Sequence, residues 1–201
     1  MSGTAGILLA AGGSARLGRD KRLLRFGGAT LLRRAAEEMA AVAAPALVVL
    51  PPHAAEAEAE LAGLAVEALI NPEPERGQAS SLALAAAALA AREVRPAGVL
   101  LLLVDQPLAD RHLFARLMAS AAAAGGWAAS DYGNGGWGPP AHLTGAALAE
   151  LAALCGPRGA RPLLERRRAS PAGLALVAFP GGRFDVDTEA DYARLLASPE
   201  G

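Results

Sequence analysis

The chain has 201 residues; 53% are hydrophobic but only 4% aromatic, and about a quarter are alanine, so the core must be broad and built from small side chains. Nineteen basic residues face twenty acidic ones, a net charge of −1, which speaks against a nucleic-acid binder with its basic excess and against a disordered, highly charged chain. One cysteine, Cys155, allows no internal disulfide, and no Cys/His spacing suggests a metal cluster, so an intracellular, cytoplasmic location is expected. The length suits a single domain over residues 1–201.

The apolar start, Met1 to Ala11, lacks the preceding positive charge of a signal peptide and reads as a buried strand. The other apolar stretches, Leu82–Ala91 and Ala97–Val104, are well below the roughly 20 residues that cross a bilayer, so no membrane contact is expected. In chain order, strands are predicted at Ala5–Ala10, Ala46–Leu50, Ala65–Ile70 and Gly98–Leu103. These are continuous apolar runs, as in a parallel sheet covered on both faces. Helices are predicted at Thr30–Ala43, Ala54–Leu61, Ser80–Arg92 and Asp110–Ala123, with Asp110 as an N-cap. Beyond Ala124 come a strand at Trp127–Tyr132, a glycine-rich turn at Gly133–Gly138 and an antiparallel partner at Ala141–Leu143. Helices at Ala146–Leu154 and Arg161–Arg168, a strand at Leu174–Phe179 and a helix at Thr188–Ala197 complete the chain. The alternation predicts an α/β fold: a doubly wound, mostly parallel but mixed sheet with helices on both faces.

In such a sheet, ligands sit at the carboxyl ends of the strands. The first of these ends carries Leu9, Ala10, Ala11, Gly12, Gly13, Ser14, Ala15, Arg16, Leu17, Gly18, Arg19, Asp20 and Lys21. Its glycines let backbone amides approach an anion, and Ser14, Arg16 and Lys21 can supply donors and positive charge to a triphosphate. It is neither a Walker loop nor a dinucleotide fingerprint. Glycine used for turn geometry alone is the competing reading. Eighteen of the nineteen basic residues are arginine, and Lys21 is the only lysine. A compact ammonium can approach a phosphate where a planar guanidinium is too wide, which gives that lysine a reason to stay.

Asp105, just past the apolar strand Leu100–Leu103, is either a Mg²⁺ ligand or the cap of the next turn. Asp185 and Asp187 fall on one side of an extended segment, and either could meet Asp105 across a metal; Asp187 or Thr188 could equally cap the last helix. The stretch from Asn71 to Ser81, with Gly77, Ser80 and Ser81, is read either as an anion or base site at a helix N-terminus or as a plain loop with an N-cap serine. His53, His112 and His142 show no catalytic or metal spacing, Cys155 reads as a buried small side chain, and Arg166, Arg167 and Arg168 read as a solvated helix end.

Together these residues resemble the nucleotidyltransferase family that contains molybdenum cofactor cytidylyltransferase and its guanylyl-transferring relatives. The opening signature L-A-A-G-x-S-x-R-x-G-x-x-K is met without a gap from Leu9 to Lys21, the N-x-x-x-x-x-G-x-x-x-S segment at Asn71, Gly77 and Ser81, D-x-P at Asp105 to Pro107, and D-x-D-T at Asp185 to Thr188. A G-x-x-G-A-R segment typical of the cytidylyl branch stands at Gly156 to Arg161. The resemblance implies transfer of CMP from CTP to the terminal phosphate of the molybdopterin cofactor, with Mg²⁺ as cofactor and transient contact with a molybdoenzyme or its chaperone. It implies catalytic roles for Arg16, Lys21 and Asp105, nucleotide binding by Leu9 to Ser14, Gly18, Lys21, Asn71, Gly77, Ser80 and Ser81, and metal binding by Asp105 with Asp187 or Asp185. Val104 replaces a common glycine and Pro157 a common aspartate. A side chain at 104 that crowds the nucleotide would favour a non-catalytic nucleotide- or cofactor-binding accessory protein; another phosphorylated acceptor, or GTP, is the alternative within the enzyme class.

Overall fold

The computed structural model describes residues 3–13 and 17–198. Seven strands form one sheet: β1 (Thr4–Leu9), β4 (Ala46–Leu50), β5 (Glu67–Ile70), β6 (Gly98–Leu103), β7 (Ala128–Gly133), β8 (Gly136–Thr144) and β9 (Ala175–Ala178). A separate hairpin pairs β2 (Arg25–Phe26) with β3 (Ala29–Thr30) through the Gly27-Gly28 turn. Strand order is β5-β4-β1-β6-β8-β7-β9, and only β8 runs against its neighbours. The chain moves outward from β1 to β4 and β5, then returns to place β6 on the other side of β1. The order therefore reverses between β1 and β6, which opens a crevice at their carboxyl ends.

The helices are α1 (Leu31–Ala40), α2 (Ala55–Ala59), α3 (Gln78–Ala90), α4 (Arg111–Ala123), α5 (Leu148–Ala152), α6 (Arg161–Ala169) and α7 (Glu189–Leu196). The two-residue alternation of β1 divides the core. Ile7 and Leu9 face a cluster with Leu82 and Leu89 of α3, Leu151 of α5 and Leu163 of α6, whereas Leu8 and Ala10 face Leu32 and Met39 of α1 and Phe114 and Leu117 of α4. Both faces of the central strands are thus buried, which explains their unbroken apolar sequences. α1 presents Leu31, Leu32, Ala35, Ala36 and Met39 as one buried stripe, and Thr30 caps it by accepting from the Arg33 amide. The Asp110 carboxylate accepts from the Leu113 amide at 2.8 Å, so that predicted cap is present. Among the described residues no helix is long and apolar enough to cross a membrane.

Three expectations need correction, and one short element, the β2–β3 hairpin, has no counterpart among them. The turn at Gly133–Gly138 is shorter, because β8 begins at Gly136 and continues through Pro139-Pro140, where the register against β7 shifts. A bulged strand tolerates proline because it leaves ladder positions unpaired. The β2–β3 hairpin is too short to produce a hydrophobic pattern. Arg167 and Arg168 are not a purely solvated end: their guanidinium carbons lie 5.4 Å from the Trp127 ring and 4.8 Å from the Trp137 ring, so their stems cover the two indoles. Cys155 is exposed, because it sits in the connection between α5 and α6 rather than on a core-facing helix turn.

Candidate active site

The crevice at the β1/β6 switch point is an open cleft of about 250 Å³. Its walls come from three segments: Leu9, Ala11, Gly12 and Gly13 after β1; Pro74, Gly77, Gln78 and Ser81 at the start of α3; and Leu103, Val104 and Asp105 after β6. Lys21 closes the floor. Ala10 is fully buried, with its amide bonded to the Val49 carbonyl and its own carbonyl held by Arg22, so it supports the wall without lining it. Gly12 and Gly13 are exposed on the rim. Gly18, at φ +73°, lies away from the lining. Ser14 and Arg16 lie outside the described residues.

Lys21 heads a short 3-10 turn that Asp20 caps, and it is 5% exposed. Its Nζ donates to Asp187 Oδ1 at 2.8 Å and to Asp105 Oδ2 at 3.1 Å. Burial alone would favour the neutral amine, but attraction to Asp105 and the bonds to Asp187 and Asp105 outweigh it, so the ammonium's pKa is raised. It is charged throughout the physiological range. The Asp185–Thr188 segment reaches the site through Val186, whose buried side chain packs with Leu17, Leu24, Phe26, Leu31 and Leu195. The Val186 amide also donates to the Asp105 carbonyl at 3.1 Å, which links the two carboxylate-bearing loops. α7 is capped by a reciprocal pair, Thr188 with Asp191, so Asp187 is not needed as the cap. Asp185 is exposed as a residue, yet partial burial of its carboxyl, then repulsion from Asp105 and Asp187, push its pKa up to about 6 against the pull of Lys21. Water relieves part of that burial cost.

Asn71 stands just behind the cleft rather than on it. It is 3% exposed; its Nδ2 donates to Ser80 and Ser81 Oγ at 2.8 and 2.9 Å, and its Oδ1 accepts from the Glu73 amide at 3.0 Å. Of the serines, Ser81 lines the cleft and Ser80 bonds back to the Gly77 carbonyl. Gly77 has φ +94°, and a Cβ there would stand 2.8 Å from Pro157 Cα. The G-x-x-G-A-R segment therefore packs directly behind the cleft rim, and Pro157 meets backbone rather than the crevice. Arg161 of that segment donates to the Trp137 carbonyl at 2.6 Å and stacks 4.0 Å from its ring. Val104, 5% exposed, packs with the cluster beneath α1 and α4 and also borders the cleft.

Sequence reasoning did not single out Gln78, which lines the cleft, or Gln106, which is 2% exposed and donates to Tyr132 Oη and the Pro139 carbonyl. Both lie inside segments already recognised, but only the fold shows which of their residues turn inward.

Residues 6–171 match the family model described as the MobA-like NTP transferase domain. The chain belongs to that family of nucleotidyltransferases. Rv0371c from Mycobacterium tuberculosis H37Rv is 28% identical, with 98% of this chain and 100% of that chain covered and a TM-score of 0.76. Its homolog from Mycobacterium sp. strain JC1 is 30% identical over 96% of this chain and 95% of that one, with a TM-score of 0.74. Rv0371c in complex with manganese matches at 29% identity, 98% and 99% coverage and a TM-score of 0.73. No curated protein matches the chain. The family match ends before Asp185, so it is the Lys21 bond and the Val186 amide that tie the Asp185–Thr188 segment to Lys21 and Asp105 at this cleft.

The acidic groups fit a hard divalent cation. Asp105 Oδ1 is buried and has no hydrogen-bond partner among the described residues, an orphaned oxygen of the kind such a cation takes. No group of three His, Cys, Asp or Glu is arranged to hold a metal among the described residues. Two carboxylates completed by phosphate oxygens and water are the usual magnesium arrangement.

Proposed function

We propose that this transferase moves CMP from CTP to the terminal phosphate of the molybdopterin cofactor and releases pyrophosphate, as a single cytoplasmic nucleotidyltransferase domain that uses Mg²⁺. The observation that carries the reading is the buried Lys21 ammonium, held at the floor of the switch-point cleft between Asp105 and Asp187. In the reaction an oxygen of the acceptor phosphate attacks the α-phosphorus, and the bond from that phosphorus to the bridging oxygen of the β-phosphate breaks. The acceptor phosphate is already ionised at neutral pH, so no protein group has to remove a proton. Catalysis is then positioning plus charge neutralisation.

Gly12 and Gly13 offer backbone to the triphosphate at the rim. Lys21 supplies a permanent positive charge, and the resemblance assigns Arg16 and Ser14 to the same anion. The start of α3, with Gln78 and Ser81, faces the same space and is suited to the ribose or base. Asp105 would hold Mg²⁺ with Asp187, or with Asp185 in reserve; when bound, the ion neutralises phosphate charge. Val104 borders the cleft but is 5% exposed and packs with the cluster beneath α1 and α4, which favours the catalytic reading over a non-catalytic accessory protein.

The test is pyrophosphate release over a matrix of CTP, GTP, ATP and UTP against molybdopterin and other phosphorylated acceptors, with Mg²⁺. Release confined to CTP with the pterin supports the reading. Release with another pairing moves the substrate assignment, and tight nucleotide binding without release under every pairing refutes catalysis.

A further inference from the structure

The Lys21 ammonium contacts the same two carboxylates that the proposed reaction assigns to the metal. It binds Asp105 through Oδ2 and Asp187 through Oδ1, and its side chain is 7% exposed. A divalent ion coordinated by both carboxylates would have to share them with a buried positive charge about 3 Å away. A buried charge also cannot simply be abandoned: it must exchange one anionic partner for another. At the floor of this cleft the anion available for that exchange is the nucleotide triphosphate, since Lys21 already lines the space it would fill.

We infer that Lys21 is an internal counter-ion that competes with the divalent cation for Asp105 and Asp187, so that metal binds tightly only when the triphosphate draws the ammonium away. The inference rests on the proposed metal site and adds to it an order of events. Metal and nucleotide then bind with positive coupling, and linkage requires each to strengthen the other equally. The tie between the Val186 amide and the Asp105 carbonyl keeps the two carboxylate loops together while the lysine changes partners. The device would limit the metal-loaded site to complexes that already hold substrate.

The experiment is titration of Mn²⁺ alone into wild type and Lys21→Met, with free Mn²⁺ read by electron paramagnetic resonance. Removal of the competing charge should tighten Mn²⁺ binding at least about tenfold, roughly 1.4 kcal/mol, and adding Asp105→Asn to Lys21→Met should abolish the gain. Equal or weaker binding by Lys21→Met, or no binding by either protein, overturns the inference. Because Lys21 is the only lysine, wild type labelled with ¹³Cε-lysine gives one lysine resonance, and this second measurement needs no variant. Saturation with Mg²⁺ and CTP should move it. A resonance that stays in place while Mg²⁺ demonstrably displaces Mn²⁺ also overturns the inference. Pyrophosphate release is independent of both readouts: lysine-dependent release with unchanged Mn²⁺ affinity would leave the proposed reaction standing and sink the competition, and the reverse pattern would do the opposite.

Discussion

Replacing Asn71 by alanine removes the clamp behind the cleft, and its cost can be worked from three bonds. The two from Nδ2 to Ser80 and Ser81 Oγ contribute about 1 kcal/mol each in net terms. The third, from the Glu73 amide to Oδ1, contributes less, because Glu73 is exposed and water can replace the lost acceptor. Ser80 still has the Gly77 carbonyl as an acceptor, whereas Ser81 is 4% exposed and its hydroxyl is left without its bond to residue 71. The sum is roughly 2–3 kcal/mol, which for a chain of this size lowers Tm by about 5–10 °C. Calorimetry checks the shift, and CTP titration should show weaker binding because Pro74, Gly77 and Ser81 move with the clamp. Asn71→Asp keeps the acceptor for the Glu73 amide and can accept from the serine hydroxyls, so it should fall between alanine and wild type. A Tm shift of Asn71→Ala below about 2 °C with unchanged CTP affinity would refute the reasoning.

Three further outcomes are expected. Gly77→Ala forces a left-handed residue and a Cβ against Pro157 Cα, so it should destabilise by at least about 2 kcal/mol in chemical denaturation. His142, whose Nδ1 lies 3.1 Å from the Gly126 carbonyl, has its pKa lowered by burial, partly offset by that bond. The unfolded chain therefore takes up the proton first: this contribution is intact above about pH 6.5 and is lost as pH falls toward the folded value. His142→Gln should flatten that part of the stability profile, and an unchanged slope would rule out His142 as its source. Chelation with EDTA should abolish pyrophosphate release, restored by Mg²⁺, while Tm without nucleotide moves by no more than about 1 °C; a large drop would mean the carboxylates depend on metal rather than on Lys21 for their neutralisation.

The central sheet was legible because β1, β4 and β6 are buried on both faces, and burial of that kind leaves an uninterrupted apolar run. Asp105 and Lys21 stood out by contrast, one as a charge at the end of such a run and the other as a lysine among arginines. What the sequence does not encode locally is partnership. Lys21 and Asp187 are 166 positions apart, and their contact depends on Val186 entering a small core with Phe26 and Leu195. Asn71 shows the same limit: its residue type suited a ligand-binding role, but its burial makes it a support for Ser81. β8 was cut short at Pro139-Pro140 because a register shift at a bulge is a property of the pair of strands, not of either one.

The most direct test of the account is the rate of pyrophosphate release by wild type and Lys21→Met with CTP, the pterin acceptor and saturating Mg²⁺. Loss of one positioned donor should lower turnover about 10²–10³-fold, with the far-UV spectrum unchanged. Turnover at the wild-type rate would remove Lys21 from the mechanism and contradict the account.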